Sequence, residues 1–183
     1  MRTIGIDPSM TATGVAIINT GPPLVVETHT VTSKGAATAT LAHRWGRLAT
    51  LAHEVRALAA GADLVVIEAP AYDSRTGQQH DRSGLWWAIV SQLIGVTDVV
   101  EVTTGGLKKY ATGTGNAAKD TVLLAVARRY PEVAITDNDQ ADALILAAMG
   151  ARWAGHPIDD LPASHLAPMA HVAWPQAAPG GAS

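Results

Sequence analysis

Four carboxylates stand where chemistry is to be expected: Asp7, Glu68, Asp139 and Asp142. Asp7 ends the apolar stretch RTIGID, and Glu68 ends DLVVIE in the same way. An ionised carboxylate at the end of a buried strand needs a partner, and one such partner is a divalent cation, which takes carboxylate oxygens. Taken alone, Asp7 fits a turn cap as well as a metal ligand. Asp139 and Asp142 lie in DNDQADALILA, three residues apart and so on one helix face. Asp137, with Gln140 three residues on, reads as the cap of that helix. Alone, Asp139 and Asp142 also fit a first turn whose acids are stabilised by the helix dipole. Together the four read differently. Adjacent strand ends can bring Asp7 and Glu68 side by side, where they repel unless cations bridge them. Two more acids at a helix start complete a site for two metal ions, about 4 Å apart, suited to in-line displacement at a phosphodiester.

A second constellation is basic. Lys108, Lys109 and Lys119 fall in KKYATGTGNAAK, with Gly113 and Gly115 between them. Glycines allow close backbone approach to a phosphate, and a helix start after Asn116 adds free N–H groups. Lys119 in that first turn opposes the dipole, which points to a phosphate or to acids nearby. A solvated loop with ordinary surface lysines is the alternative.

These groups need a scaffold. Arg2 to Ile18 reads as a β-hairpin whose turn carries Ser9, Thr11 and Thr13. Leu24–Val31 reads as a third strand and Asp63–Glu68 as a buried central one. A further strand is expected over Asp98–Val102. Helices are expected over Ala39–Ala60, with a stripe of Leu41, Trp45, Leu48, Ala52, Val55 and Leu58, and over Arg82–Ile94, Asn116–Tyr130 and Asn138–Trp153. Ala69–His80 and Thr103–Gly115 read as loops. Three strands in a meander, then helices alternating with two strands, indicate an α/β fold: a mixed sheet flanked by helices. From Gly155 on, five of the ten prolines and a Pro-Gly-Gly-Ala-Ser end indicate an irregular tail, packed on the domain in part or disordered. The division expected is a domain over 1–153 and a tail over 154–183.

The 183 residues suit one domain, and 48% hydrophobic with 16% charged residues is not the composition of a disordered chain. Cysteine is absent, which excludes disulfides and thiolate metal sites and fits a reducing, cytoplasmic setting. No apolar run approaches the roughly 18 residues of a membrane span, and no signal peptide is expected. A net charge of -3 requires any DNA contact to use a local basic patch.

The order Asp7-Pro8, Thr13-Gly14, Glu68, the Lys108–Lys119 segment and Asp139-x-x-Asp142-Ala-Leu resembles the RuvC family of Holliday-junction resolvases, in the RNase H-like superfamily, over about residues 1–153. Ser9-Met10 after Asp-Pro, Thr11, and Tyr72 in the loop after Glu68 depart from the bacterial pattern and suggest a phage-type or otherwise divergent member. The resemblance implies an RNase H-like fold with a five-stranded mixed sheet. It also implies a homodimeric endonuclease, dependent on Mg²⁺ or Mn²⁺, that nicks two symmetric strands of a four-way DNA junction. By position, Asp7, Glu68, Asp139 and Asp142 match the metal-binding carboxylates, and Lys108 and Lys119 the active-site basic residues.

Further contacts are expected around this site. Tyr72 either stacks on an unpaired base or covers the sheet edge. Ser9, Thr11, Thr13, Arg75, His80, Arg82 and Lys109 are expected to meet DNA. Adjacent tryptophans cannot share a helix face, so Trp86 is expected to pack toward the core and Trp87 to face a partner; the apolar helix Arg82–Ile94, with Trp86, Trp87 and Val90, is the expected dimer interface. Competing readings are a nuclease of the same fold acting on RNA or a hybrid, as in YqgF-like relatives, and a catalytically inactive junction-binding protein. A sugar kinase or actin-like ATPase has a similar hairpin but needs two such domains.

Overall fold

The computed structural model describes residues 1–70 and 79–176. Alternation along β1 (Arg2–Asp7) assigns its side chains to two layers. Ile4 and Ile6 enter one core, while Thr3, Gly5 and Asp7 point to the opposite face. β1 pairs antiparallel with β2 (Ala12–Asn19), and β2 with β3 (Val25–Thr32). On its other side β1 pairs parallel with β4 (Leu64–Glu68), which pairs parallel with β5 (Asp98–Val102). The result is the expected five-stranded mixed sheet, in the order β3-β2-β1-β4-β5.

Parallel neighbours require crossovers, and helices supply them. α1 (Leu41–Leu58) and α2 (Gln79–Leu93) cover the face bearing Ile4, Ile6, Val15, Ile17, Val65 and Ile67. Thr40 caps α1 by accepting the His43 N–H. The buried stripe of α1 is Leu48, Leu51, Ala52 and Val55; Leu41 and Trp45, expected in it, are 78% and 61% exposed. They precede Leu48, the first buried residue of α1, which packs on Gly84 of α2.

The other face carries α3 (Thr104–Thr112), α4 (Lys119–Arg129) and α5 (Asn138–Trp153). α3 corrects the expected loop over Thr103–Gly115. Thr103 caps it by accepting the Gly106 N–H, Leu107, Tyr110 and Ala111 form its buried stripe, and Gly113 ends it in the left-handed conformation. α4 starts three residues later than expected, with Ala118 as its cap residue.

α5 lies closest to the sheet. Every residue from Gln140 to Ala151 is buried except Asp142. Alanines on this helix, together with two glycines on the strands, bring backbone against backbone. A Cβ at Gly5 would stand 1.9 Å from the Ala143 carbonyl oxygen, and one at Gly14 would stand 2.0 Å from that of Asp139. The start of α5 is tied to β3: Asp137 accepts the Gln140 N–H at 2.7 Å, Thr30 donates to Asp137 at 2.8 Å, and Gln140 Nε2 donates to Thr30 at 2.8 Å. Among the described residues no helix is long and apolar enough to cross a membrane.

The proline-rich segment after α5 forms only α6 (Ala163–Leu166) and a 3-10 turn over Ala167–His171, yet it lies against the helices. Trp174 stacks on Trp153 with centroids 5.7 Å apart. The Asp159 side chain is 1% exposed, with Arg152 Nη2 at 2.6 Å and Arg129 Nη1 at 3.8 Å. The hydroxyls of Tyr130 and Tyr110 donate to it at 2.5 and 3.2 Å. One carboxylate thus gathers groups from α3, α4 and α5. Removing one partner of such a buried pair costs about 3–5 kcal/mol. Asp159→Ala, and a chain ended at Ala154, are both expected to unfold in urea at a midpoint well below that of the full chain. Equal midpoints would contradict a stabilising role for this segment.

Candidate active site

Ile6 pairs with Ile67, so Asp7 and Glu68 come one step later at the ends of adjacent parallel strands, both turned to the α5 face. The seating of α5 on Gly14 then sets Asp139 and Asp142, in its first two turns, over the same strand ends. Asp7 is 7% exposed, and its carboxyl lies beside those of Glu68 and Asp139.

The electrostatics follow from this crowding. Burial first, then the hydrogen bond and charge of Glu68, then the charges of Asp142 and Asp139, hold the Asp7 carboxyl well above its usual range. Burial, then the charge of Glu68, pushes Asp142 up to about 7, with Lys119 and Lys108 pulling the other way. Burial raises Asp139 too, against the pull of Lys119. Glu68 is oriented by the Thr104 hydroxyl, which donates to its Oε1 at 2.5 Å, while Trp86 Nε1 donates to its backbone carbonyl at 2.9 Å. Thr104 escaped sequence reading because its segment reads as a loop; the signal for it is Thr103 followed by apolar residues at helical spacing.

Among the described residues, no group of three His, Asp or Glu side chains is arranged to hold a metal ion as it stands. The fit to one is of donor type and charge. Four oxygen-donor acids converge here, and hard carboxylate oxygens suit Mg²⁺ or Mn²⁺. A cation would offset the negative charge that crowds these acids. An open cleft of about 340 Å³ leads to the acids, lined by Asp7, Ser9, Glu68, Arg82, Lys119 and Asp139 among others.

The other expected residues divide. Lys119, the first residue of α4, is exposed at the cleft, and Lys108, half-buried in α3, acts on Asp142 through its charge. Lys109 is half-buried in the last turn of α3 and His80 is exposed in the first turn of α2; neither lines the cleft. Thr11 is exposed at the hairpin turn. Thr13 is fully buried: its hydroxyl donates to the Ser9 carbonyl at 2.7 Å and accepts the Ser9 N–H at 3.1 Å, so it braces the turn and has no face for DNA. Trp86 is half-buried at the core edge, and Trp87 is 63% exposed. Val90, expected at an interface, is 2% exposed and belongs to the core with Ile89 and Leu93, because it lies on the sheet-facing side of α2. Tyr72 and Arg75 lie outside the described residues.

No family model and no curated protein matches the sequence. Solved structures do match the fold. Thermus thermophilus RuvC superposes with a TM-score of 0.66 at 19% identity, over 85% of this chain and 98% of that one. The same organism's RuvC in complex with a Holliday junction substrate gives 0.62 at 18% identity, over 85% and 97%. The yeast mitochondrial Holliday junction resolvase Ydc2 gives 0.52 at 10% identity, over 93% and 80%. The chain therefore has the RuvC-like, RNase H-like fold.

The raised carboxyls make stability depend on pH. Asp142 keeps its proton up to about 7 in the folded chain, against a usual value of 3.8. Between those values the unfolded chain binds fewer protons, so this contribution is full below about pH 4 and is lost as pH rises through about 7. Without divalent cations, Tm is expected to fall between pH 6 and pH 8, and to fall less in Asp142→Asn. Calorimetric scans showing a wild-type Tm that is flat or rising over this range would contradict the crowding.

Proposed function

We propose that this chain is a divalent-metal-dependent endodeoxyribonuclease that resolves Holliday junctions or other branched DNA by paired nicks. The observation that carries this reading is the crowding of Asp7, Glu68, Asp139 and Asp142 at one end of the sheet, with Asp7, Glu68, Asp139 and Lys119 lining an open cleft and Lys108 near enough to act on Asp142. A fold hosts many functions, and the site must argue for one. Acids packed against their own repulsion weaken the fold, and they make sense where cations and a phosphodiester meet. A protein that only bound junctions would gain nothing from negative charge where phosphates approach, which weighs against the inactive alternative. The Holliday junction bound by a protein of the same fold favours branched DNA over RNA or a hybrid.

When bound, the ions supply Lewis acidity to the attacking and leaving oxygens of an in-line displacement. The chain's own residues hold and orient that chemistry. Thr104 fixes the Glu68 carboxylate, Asp7 anchors the centre of the acid cluster, and Lys119 brings positive charge to the phosphate oxygens. A homodimer provides two such clefts for two symmetric strands. Exposed Trp87 and Ile94, which line one groove beside α2, offer it an apolar surface.

The test is a cleavage assay with Mg²⁺ on four-way, three-way, flap and linear DNA, with an RNA–DNA hybrid alongside. The expected result is paired nicking of the four-way junction in preference to linear duplex. Asp142→Asn should abolish cutting while leaving junction binding within about tenfold, because the lost charge is on the catalytic side. Lys119→Ala should slow saturated cutting about 10²-fold. Preferential cutting of the hybrid would move the reading to RNA, and full cutting by Asp142→Asn would remove the acids from the mechanism.

A further inference from the structure

A second cleft, of about 420 Å³, opens on the other side of the hairpin turn and is lined by Met10, Lys34, Thr40, His43, Arg44 and Arg47 among others. Its two guanidinium groups are set in place. Arg44 forks onto the Asp81 carboxylate, whose side chain is 8% exposed. Arg47 donates to Ser33 Oγ at 2.7 Å and to the Met10 carbonyl, and its head lies where a Cβ at Gly35 would stand, 2.2 Å from Nη1. Lys34 and His43 are exposed at the rim. Three of the chain's thirteen basic residues thus share one cleft with a single paired acid, in a chain of net charge -3.

The cleft adjoins the acid site. Met10 lines it, and Pro8 and Ser9 line the other. Met10 is three residues from Asp7, so their Cα atoms are at most about 11 Å apart, which is about three nucleotides at the 3.4 Å rise of one duplex strand. α2 joins the two as well, with Asp81 in one cleft and Arg82 in the other.

The geometry points to this basic cleft as the seat of a nucleic-acid backbone phosphate, a few nucleotides from the bond held at the carboxylates. The inference deepens the function proposed above and rests on it. Pre-set guanidinium groups meet phosphate oxygens with little loss of side-chain freedom, and Lys34 supplies the mobile charge. The cleft holds the strand in register with the acid site, and carries no chemistry of its own.

Lys34 is the residue to change, because removing Arg44 or Arg47 strips buried partners and endangers the fold. Binding of a four-way junction is measured by fluorescence anisotropy in Ca²⁺ across a series of salt concentrations, and saturated cutting in Mg²⁺, for wild type, Lys34→Ala and Lys34→Glu. Arg128→Ala, exposed in the last turn of α4, is the control. Lys34→Ala is expected to weaken binding several-fold and to reduce the salt slope by about one, and Lys34→Glu to weaken it further. The control should behave as wild type in both measurements. A wild type that binds and cuts while both Lys34 variants keep its affinity and slope would overturn the cleft alone. A wild type that does not bind the junction would overturn the cleft and the proposed function together.

Discussion

The structure depends on how closely the backbone of α5 can approach the backbones of β1 and β2. Gly5 and Gly14 face the helix where the carbonyl oxygens of Ala143 and Asp139 come down, and no Cβ fits at either place. Asp7 and Gly14 are partners in the β1–β2 ladder. One of these two close approaches of the helix therefore falls beside the carboxylate that ends β1. A methyl group at Gly14 would press on the backbone of Asp139 itself. Such overpacking costs about 1–3 kcal/mol in a well-packed core, and here it would also spread the acids. Fold and site share one constraint.

That constraint concentrates negative charge. Four acids meet at one end of the sheet, and burial with the charges of its neighbours holds the Asp7 carboxyl well above its usual range. The surrounding apolar layers offset the repulsion. α5 is buried along nearly its whole length, and α1 and α2 cover the other sheet face. Basic residues flank the acids: Lys119 and Lys108 on one side, and the cleft of Arg44, Arg47 and Lys34 across the hairpin turn. The remaining arginines include two, Arg129 and Arg152, that are occupied with the Asp159 carboxylate under the C-terminal segment. An acidic chain can in this way present a local positive margin to a polyanion.

Much of this was legible in the sequence, for physical reasons. Strand alternation in RTIGID and the apolar run LVVIE put Asp7 and Glu68 at strand ends, and Asp137 with Gln140 marked the start of α5 at the residue where it begins. What escaped was what depends on tertiary contact. Thr103 as a cap followed by glycines reads as a loop until Leu107 and Tyr110 find their partners. Thr13 looks like an exposed hydroxyl and is instead closed on the Ser9 backbone. Val90 and Trp87 lie three residues apart on one helix, yet only packing decides that one is core and the other surface. Asp159, in a proline-rich stretch, has no local pattern, since its partners are 7 to 49 residues away.

The central claim is that the acids gathered by α5 take up a divalent cation. Titration calorimetry with Mn²⁺ near pH 6.5, repeated in buffers of different ionisation enthalpy, measures both the binding and the protons released. Metal binding to protonated ligands releases protons, so the full-length protein is expected to bind Mn²⁺ with release of about one proton or more. Asp7→Asn should bind far more weakly and release less. Absence of binding by the wild type, or equal binding and proton release by Asp7→Asn, would contradict the account.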